Sequence, residues 1–406
     1  MLAVAVIAGI LFVWSLLAHR LSRWSITAPI AMIGTGVAMT AGSDPPLHFD
    51  LDTTVFEHAV EVVLALLLFV DAVEVPGSVI RRERSLFVRL LAVALPLTLC
   101  AAFAVGYLFF PDQPLWLLAL LATVVVPLDL APTATVVRDR RIPSRLRDVL
   151  NIEGGLNDGI LSPVFLLCIT IGVESHATHS DYTDALLTAV VASAWALGTG
   201  FLVGSAGGWL LGKSWTHGWT RATAVRLGVF AVPIAAYTLS VALGGNGFVA
   251  SFVAGVCFAP SMRHLPESAV YMADDLVTLM ALALWFVFGQ IINEAFTVDM
   301  PVSVVLYALL AVTLVRLVAV LIALTGSRIP WGDKLFLGWM GPRGVTTIVF
   351  GTLAVIDLPT RQADFIAQVM VMTVLASIVL HGVSAEPLAR LYARAGRASP
   401  VRSPAG

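Results

Sequence analysis

The sequence predicts an all-α polytopic membrane protein of about 13 transmembrane helices, arranged as inverted repeats whose two broken helices cross at mid-membrane. Three observations carry this. Of 406 residues 58% are hydrophobic and 12% charged, with mean hydropathy +0.91, whereas soluble domains carry roughly 25% charged residues. Basic residues occupy every second connection between apolar runs, as the positive-inside rule requires of a chain crossing back and forth. Two apolar runs are interrupted by proline or glycine near mid-depth, in the fifth and twelfth spans, an odd number apart, so that they run in opposite directions.

Runs long enough to cross a ~30 Å hydrocarbon core at 1.5 Å per residue fall at 1–18, 25–41, 54–75, 85–110, 114–137, 146–173, 183–212, 222–243, 246–262, 273–295, 300–325, 331–356 and 364–388. The first run has its positive charges, Arg20 and Arg23, after it rather than before it, so it is expected to be a retained span and not a cleaved leader. Twenty-one of the 24 Lys and Arg fall in alternate connections and the tail. The opposite connections hold only Arg361 and collect Asp44, Asp50, Asp52, Asp112, Glu174, Asp181, Glu294 and Asp299. The expected orientation therefore has the amino terminus outside and the carboxyl terminus cytoplasmic, in a multi-pass protein of the cell (inner) membrane. Cys100, Cys168 and Cys257 lie in apolar runs without metal-ligand spacing and are expected in the core. No cofactor is expected, because no phosphate-binding loop or metal motif is present, and no basic block points to nucleic acid.

The fifth span contains Val126-Pro127-Leu128-Asp129-Leu130-Ala131-Pro132 and the twelfth Gly341-Pro342-Arg343-Gly344. An interior proline removes a backbone hydrogen bond and clashes with the preceding turn, so both segments should unwind. With the turn between spans five and six near Pro143, Asp129 and Asp158 lie roughly 21 and 22 Å along antiparallel helices and so at similar depth.

Ionisable groups at membrane depth are costly and mark ion or proton pathways. Asp158 and Asp129 offer hard carboxylate oxygens for a monovalent cation, and the unwound backbone at Leu128 offers a carbonyl. A buried carboxyl can hold a proton or a cation in turn, and that competition suffices for exchange. The alternative is structural: Asp129 and Asp158 could pair with Arg343 or Arg316, or cap the broken half-helices. Glu153, beside those two buried arginines, reads as an ion-pair member rather than a ligand. Asp71, near the end of span three, is either a solvated cap or part of an ion-entry funnel, and Glu61 is less central. His381 reads as a satisfied core histidine. The Gly-rich segments 204–208 and 245–247 read as close helix contacts.

In order and spacing, five segments resemble the bacterial monovalent cation:proton antiporters of the sodium/proton exchanger type. They are Asp129 in span five, Glu153 with Asn157 and Asp158, Gly-Phe-Val-Ala-Ser-Phe-Val-Ala-Gly at 247–255, Gly-Trp-Met-Gly-Pro-Arg-Gly at 338–344, and Leu380-His381-Gly382. The resemblance implies exchange of sodium, or alternatively potassium, for protons by alternating access. It further implies Asp158 as the main carrier, Asp129 assisting at the crossing, and Glu153 pairing with Arg343 to hold the core. Asn157 before the key Asp implies electroneutral exchange. It also implies a homodimer with scaffold helices at 1–80, a first core half at 81–175, linker and dimerisation helices at 176–299, a second core half at 300–390 and a short basic tail at 391–406. Two departures stand out: Leu128 and Gly154 occupy positions where the family commonly has Thr and Ser. A transport-impaired channel or sensor relative is the alternative these lost hydroxyls keep open. An intramembrane aspartyl protease would also need two membrane-embedded Asp, but Gly155-Leu156-Asn157-Asp158 lacks the Gly before Asp that such enzymes share, and no enzymatic activity is expected.

Overall fold

The computed structural model describes residues 2–22, 27–42, 53–75, 77–130, 139, 141–177 and 182–394, and the described residues contain helices and no strand. In chain order the helices are α1 (Leu2–Ser22), α2 (Ala28–Thr40), α3 (Thr54–Glu74), α4 (Arg84–Phe109), α5 (Leu115–Val125), α6 (Ser144–Ala177) and α7 (Tyr182–Thr216). There follow α8 (Ala222–Ala242), α9 (Gly247–Phe258), α10 (Tyr271–Ala295), α11 (Val302–Ala323), α12 (Trp331–Trp339), α13 (Val345–Asp357) and α14 (Thr360–Arg394). Every predicted span meets one of these helices, and the twelfth is split into α12 and α13. Seven helices are individually long and apolar enough to cross a membrane, and shorter apolar helices accompany them. The part of span five beyond Leu130, the basic residues Arg23, Arg138 and Arg140, and most of the predicted tail lie outside the described residues. Where the tail was expected from 391, α14 continues to Arg394.

Local chemistry sets the helix ends. Pro114, Pro301 and Pro330 stand at the N-caps of α5, α11 and α12, where a missing N–H costs nothing. Thr53 caps α3 by accepting from the Phe56 N–H at 3.3 Å, and Asn246 caps α9 by accepting from the Val249 N–H at 3.0 Å.

The same series of elements occurs twice. A helix with a π turn, an interrupted span and a long helix containing one proline form α4–α5–α6, and they recur as α11–α12/α13–α14. The π turns are Leu90–Ala94 in α4 and Ala311–Val315 in α11, each in the half of its helix nearer the basic connections. In α4 the extra residue relieves Pro96, whose ring would otherwise press on the Ala92 carbonyl; the Leu95 N–H reaches back to the Leu90 oxygen instead. Phe165 of α6 stacks on Phe350 of α13, centroids 4.2 Å apart and planes 8° from parallel, joining the two series.

Around this unit the remaining helices pack through small residues. α9 lies against α7, α3 and α8. Gly200 and Gly204 of α7 face Ala250 and Ala254 of α9, and Gly255 of α9 faces Phe69 and Ala72 of α3, so backbones touch where side chains would not fit. The close contacts expected of the 204–208 run are thus present at Gly204. Cys168 is buried, whereas Cys100 is exposed on the outer face of α4, where an apolar environment needs no protein neighbour.

A Cβ at Gly255 would lie 2.6 Å from the Phe69 carbonyl oxygen. Gly255→Val is therefore expected to push α9 off α3 at a cost of about 1–3 kcal/mol. The readout is the thermal melting of purified protein in detergent, and an unchanged melting temperature would show that these helices do not depend on the contact.

Candidate functional site

α5 stops at Val125 because Pro127 cannot continue it, and Pro127–Leu130 carry no helix. α12 stops at Trp339, and the chain from Met340 to Gly344 is likewise non-helical until Val345 opens α13. These two stretches are bonded to each other. The Asp129 N–H donates to the Pro342 oxygen at 2.9 Å, and the Val345 N–H donates to the Asp129 carboxylate at 2.6 Å. Arg343, with no exposed surface, donates through Nη1 to the Val126 and Pro127 oxygens at 2.7 and 3.0 Å. Its own N–H is held by Ser377 Oγ of α14 at 2.7 Å. Glycine stands at 344 because any side chain there would occupy the volume of the Asp129 carboxylate.

The charges match the helix ends. A cation belongs at a helix C-terminus, and Arg343 sits on the last carbonyls of α5; an anion belongs at an N-terminus, and Asp129 sits at the first amide of α13. A second arginine treats α12 alike: Arg316, just past the π turn of α11, donates through Nη2 to the Leu337 oxygen at 3.1 Å.

Facing the crossing is α6. Glu153 and Asn157 share one face at i, i+4 spacing, and Glu153, Asn157 and Asp158 are all buried. The expected Glu153–Arg343 pair is not formed. Glu153 instead receives both Nη atoms of Arg316, at 2.9 and 3.0 Å, in a fully buried bidentate pair. The local geometry shows why: Arg343 is held through Nη1 by the Val126 and Pro127 carbonyls, with Nε and Nη2 unpartnered among the described residues, while Arg316 offers both Nη atoms to the Glu153 carboxylate.

Asp158 Oδ2 accepts the hydroxyl of Thr346, in the first turn of α13, and Asp158 Oδ1 has no hydrogen-bond partner among the described residues. The Asn157 side-chain oxygen is also buried without one. The Leu128 backbone, Asp129 and Asp71 are all electrostatic neighbours of Asp158. Leu128 itself is buried against α6: a Cβ at Gly154 would lie 3.1 Å from its side chain and 3.3 Å from its carbonyl oxygen. Asp71 of α3 packs on Gly155, whose Cβ would lie 3.0 Å from that of Asp71. The structure thus gathers Asp158, Asp129, Asn157, Leu128 and Asp71 around the crossing.

Sequence reasoning missed Thr346 and Ser377. Two threonines separated from a Gly-Pro-Arg-Gly break only by Val345 are a hydroxyl-rich helix start, and that was the available signal for Thr346. His381 is fully buried, with Nε2 2.9 Å from the Trp339 oxygen and Nδ1 3.1 Å from Ser377 Oγ. Nδ1 also lies 3.0 Å from the Ser377 carbonyl oxygen, so both ring nitrogens have partners within the protein, which is the arrangement of a core histidine. Chemically, a buried carboxylate oxygen without a donor is expensive unless it takes up a proton or a cation. Asp158 is that oxygen's owner, and the crossing around it leaves it one committed and one uncommitted atom.

The profile of a family described as "Sodium/hydrogen exchanger, transmembrane" matches residues 1–391. A K(+)/H(+) antiporter, NhaP2, of Shewanella baltica is 24% identical over 384 residues, covering 93% of this chain and 64% of that protein. An Na(+)/H(+) antiporter of Schizosaccharomyces pombe is 24% identical over 352 residues, covering 80% of this chain and 75% of that protein. The chain spans 47% to 64% of the length of the NhaP2 proteins of Shewanella oneidensis and Shewanella baltica that it matches. Among solved structures, the sodium proton antiporter MjNhaP1 from Methanocaldococcus jannaschii at pH 8 superposes with a TM-score of 0.78 at 20% identity, over 96% of this chain and 98% of that one, and so has the same fold.

The pairing of Glu153 makes a thermodynamic expectation. Glu153→Gln or Arg316→Ala, each stranding one buried charge, should cost about 3–5 kcal/mol of stability. Combining them should cost far less than the sum, whereas a Glu153→Gln/Arg343→Ala double variant should be nearly additive. Thermal melts in detergent of the native protein, the three single variants (with Arg343→Ala) and the two doubles test this, and strong coupling of Glu153 to Arg343 instead would contradict the observed pairing.

Proposed function

Because the chain belongs to the transmembrane sodium/hydrogen exchanger family, we propose that it is a secondary transporter exchanging a monovalent cation for protons by alternating access, with sodium as the cargo and potassium as the alternative. One observation carries the reading: a buried carboxylate, Asp158, lies at the crossing of two interrupted helices with one oxygen bound by Thr346 and the other without a close hydrogen-bond partner among the described residues, the Leu128 backbone lying nearby. Proton and cation compete for that oxygen. Asp129 holds the crossing together through the Val345 amide and lends negative charge to the same space. The Leu128 carbonyl and the Asn157 side chain are the neutral oxygens nearest in sequence to the two carboxylates, and Asp71 stands between them and the acidic end of α3 at Glu74.

In this reading the two matching series, residues 81–175 and 300–390, form the moving core. Residues 1–80 and 176–299 form the scaffold and the surface of a homodimer, in a cell membrane with the amino terminus outside. Support comes from the alternation of basic connections and from the small-residue packing that ties α9 to α3 and α7. Potassium remains the alternative because the relative in Shewanella baltica is named for it, and because Leu128 and Gly154 provide no hydroxyl to compress the site around a smaller ion. Measuring proton movement in inverted vesicles on addition of sodium and then of potassium decides both the activity and the ion; a cation current without proton movement would make the protein a channel.

Asp158→Asn keeps the shape of the protonated acid but cannot trade a proton for a cation, so it should abolish exchange while the protein folds normally. Ion-driven proton flux surviving in that variant would remove Asp158 from the site. Asp129→Asn should cut transport severely; full activity would reduce Asp129 to the cap of α13.

With one carboxyl serving both ions, apparent cation affinity should weaken as pH falls, because protons then hold the site. At high pH too few protons remain for the return step, so activity should be bell-shaped in pH. Asn157 adds no charge, so one proton should exchange for one cation with no net charge moved. Vesicle exchange at clamped potentials of zero and of large magnitude should therefore agree, and clear voltage dependence would bring a second titrating group, Asp129 first, into the cycle.

A further inference from the structure

Away from the ion site, a groove runs between the start of α4 and the end of α11. Two adjoining hollows of about 720 and 380 Å³ form it, sharing Ser85 and Arg89. Its mouth is cationic: Arg82, Arg84, Arg89, Arg145 and Arg328 line it with one acid, Glu83. Some of this charge is already met. Arg145 bonds Glu83 at 2.6 Å, and Arg82 lies 3.4 Å from Glu83 and 3.9 Å from Asp148. Arg89 donates through Nη1 to the Ala323 and Thr325 oxygens at 2.8 and 2.7 Å, which fastens α4 to the last turn of α11 but leaves its charge without an anion. Arg84 and Arg328 have no acidic partner among the described residues. Three positive charges are therefore unmatched around one opening.

Below that rim the groove turns apolar. Val88 and Val93 of α4 and Ile322 of α11 line its flank and are 53%, 41% and 55% exposed. Val93 belongs to the π turn of α4, Leu90–Ala94. A cationic rim at a helix end, continued by an apolar trough along the helix, has the chemistry of a phospholipid: phosphate above, acyl chain below. A soluble anion would use the rim and leave the trough idle.

We propose that this groove is a binding site for an anionic phospholipid, its headgroup phosphate held by Arg84, Arg89 and Arg328 and an acyl chain lying along Val88, Val93 and Ile322. The lipid bridges α4 and α11, one helix from each of the two matching series, between the π turn of α4 and the last turn of α11. Arg316, which binds Glu153, follows the π turn of α11 directly, so the lipid holds the element that positions the buried pair. The leaflet follows from the orientation proposed above, but the binding itself does not depend on it or on transport.

The full chain in detergent, titrated with phosphatidylglycerol or phosphatidylcholine and followed by native mass spectrometry, tests the site. One tight site preferring phosphatidylglycerol is expected. Arg84→Gln/Arg328→Gln should bind phosphatidylglycerol roughly 30-fold more weakly and phosphatidylcholine unchanged. The Lys pair at the same positions should restore the preference, and Arg221→Gln/Arg263→Gln, in other basic connections, should leave it intact. If the double variant does not purify folded, each single glutamine variant should show about a fivefold loss. Equal binding of the two lipids by the native chain, or an unchanged preference in the glutamine variants, would overturn the proposal. Displacement of phosphatidylglycerol by millimolar inorganic phosphate would overturn it too, showing an anion site without an acyl chain.

Discussion

A helix broken at membrane depth leaves peptide carbonyls and amides that no lipid can satisfy, and each such group left bare costs several kcal/mol. This chain breaks two helices at one level and lets each break satisfy the other. Arg343 covers the carbonyls at the end of α5, Asp129 covers the amide at the start of α13, and Asp129 N–H to Pro342 O joins the two strands of backbone directly. The bonds are reciprocal, so neither break is stable without its partner. Everything else near the centre of the molecule takes its position from that crossing: Thr346 is aimed at Asp158 because α13 begins where Asp129 caps it, and Leu128 meets Gly154 because α5 ends where Pro127 stops it.

The crossing also divides the buried charges by task. Arg343 and Asp129 are committed to backbone, and Glu153 and Arg316 are committed to each other, with Arg316 spending one more bond on the end of α12. Among the described residues, Asp158 is a buried carboxylate with one oxygen hydrogen-bonded and the other not. Removing cations and anions from water in matched pairs limits the desolvation cost, and it leaves the uncommitted carboxylate as the group whose charge can change without breaking the frame. A transporter needs that separation: the group that titrates must not be one that holds the helices in place.

Much of this was legible in the residues. The interruptions Pro127 to Pro132 and Gly341 to Gly344 announce themselves, because proline cannot be accommodated silently in a helix, and the odd spacing of their spans implies opposed directions. Similar depths for Asp129 and Asp158 followed from counting residues on either side of Pro143. The partner of Glu153 was not legible: Arg316 and Arg343 are both buried arginines in later spans, and the sequence contains no sign of which is already occupied. Nor was the role of Asp129 as a cap separable from a role as a ligand, since both require the same side chain at the same place.

The sequence by itself determined where the apolar spans fall, the location of both breaks and the short list of buried ionisable groups, because hydropathy and proline sterics act locally and are written residue by residue. Only the tertiary structure decided who pairs with whom: that Arg316 and not Arg343 takes Glu153, that Thr346 takes one oxygen of Asp158, and that the start of α4 and the end of α11 leave a cationic groove between them. Those choices depend on distances between helices 100 or more residues apart, and a hydrogen bond a few ångströms long is settled by packing that no local pattern encodes.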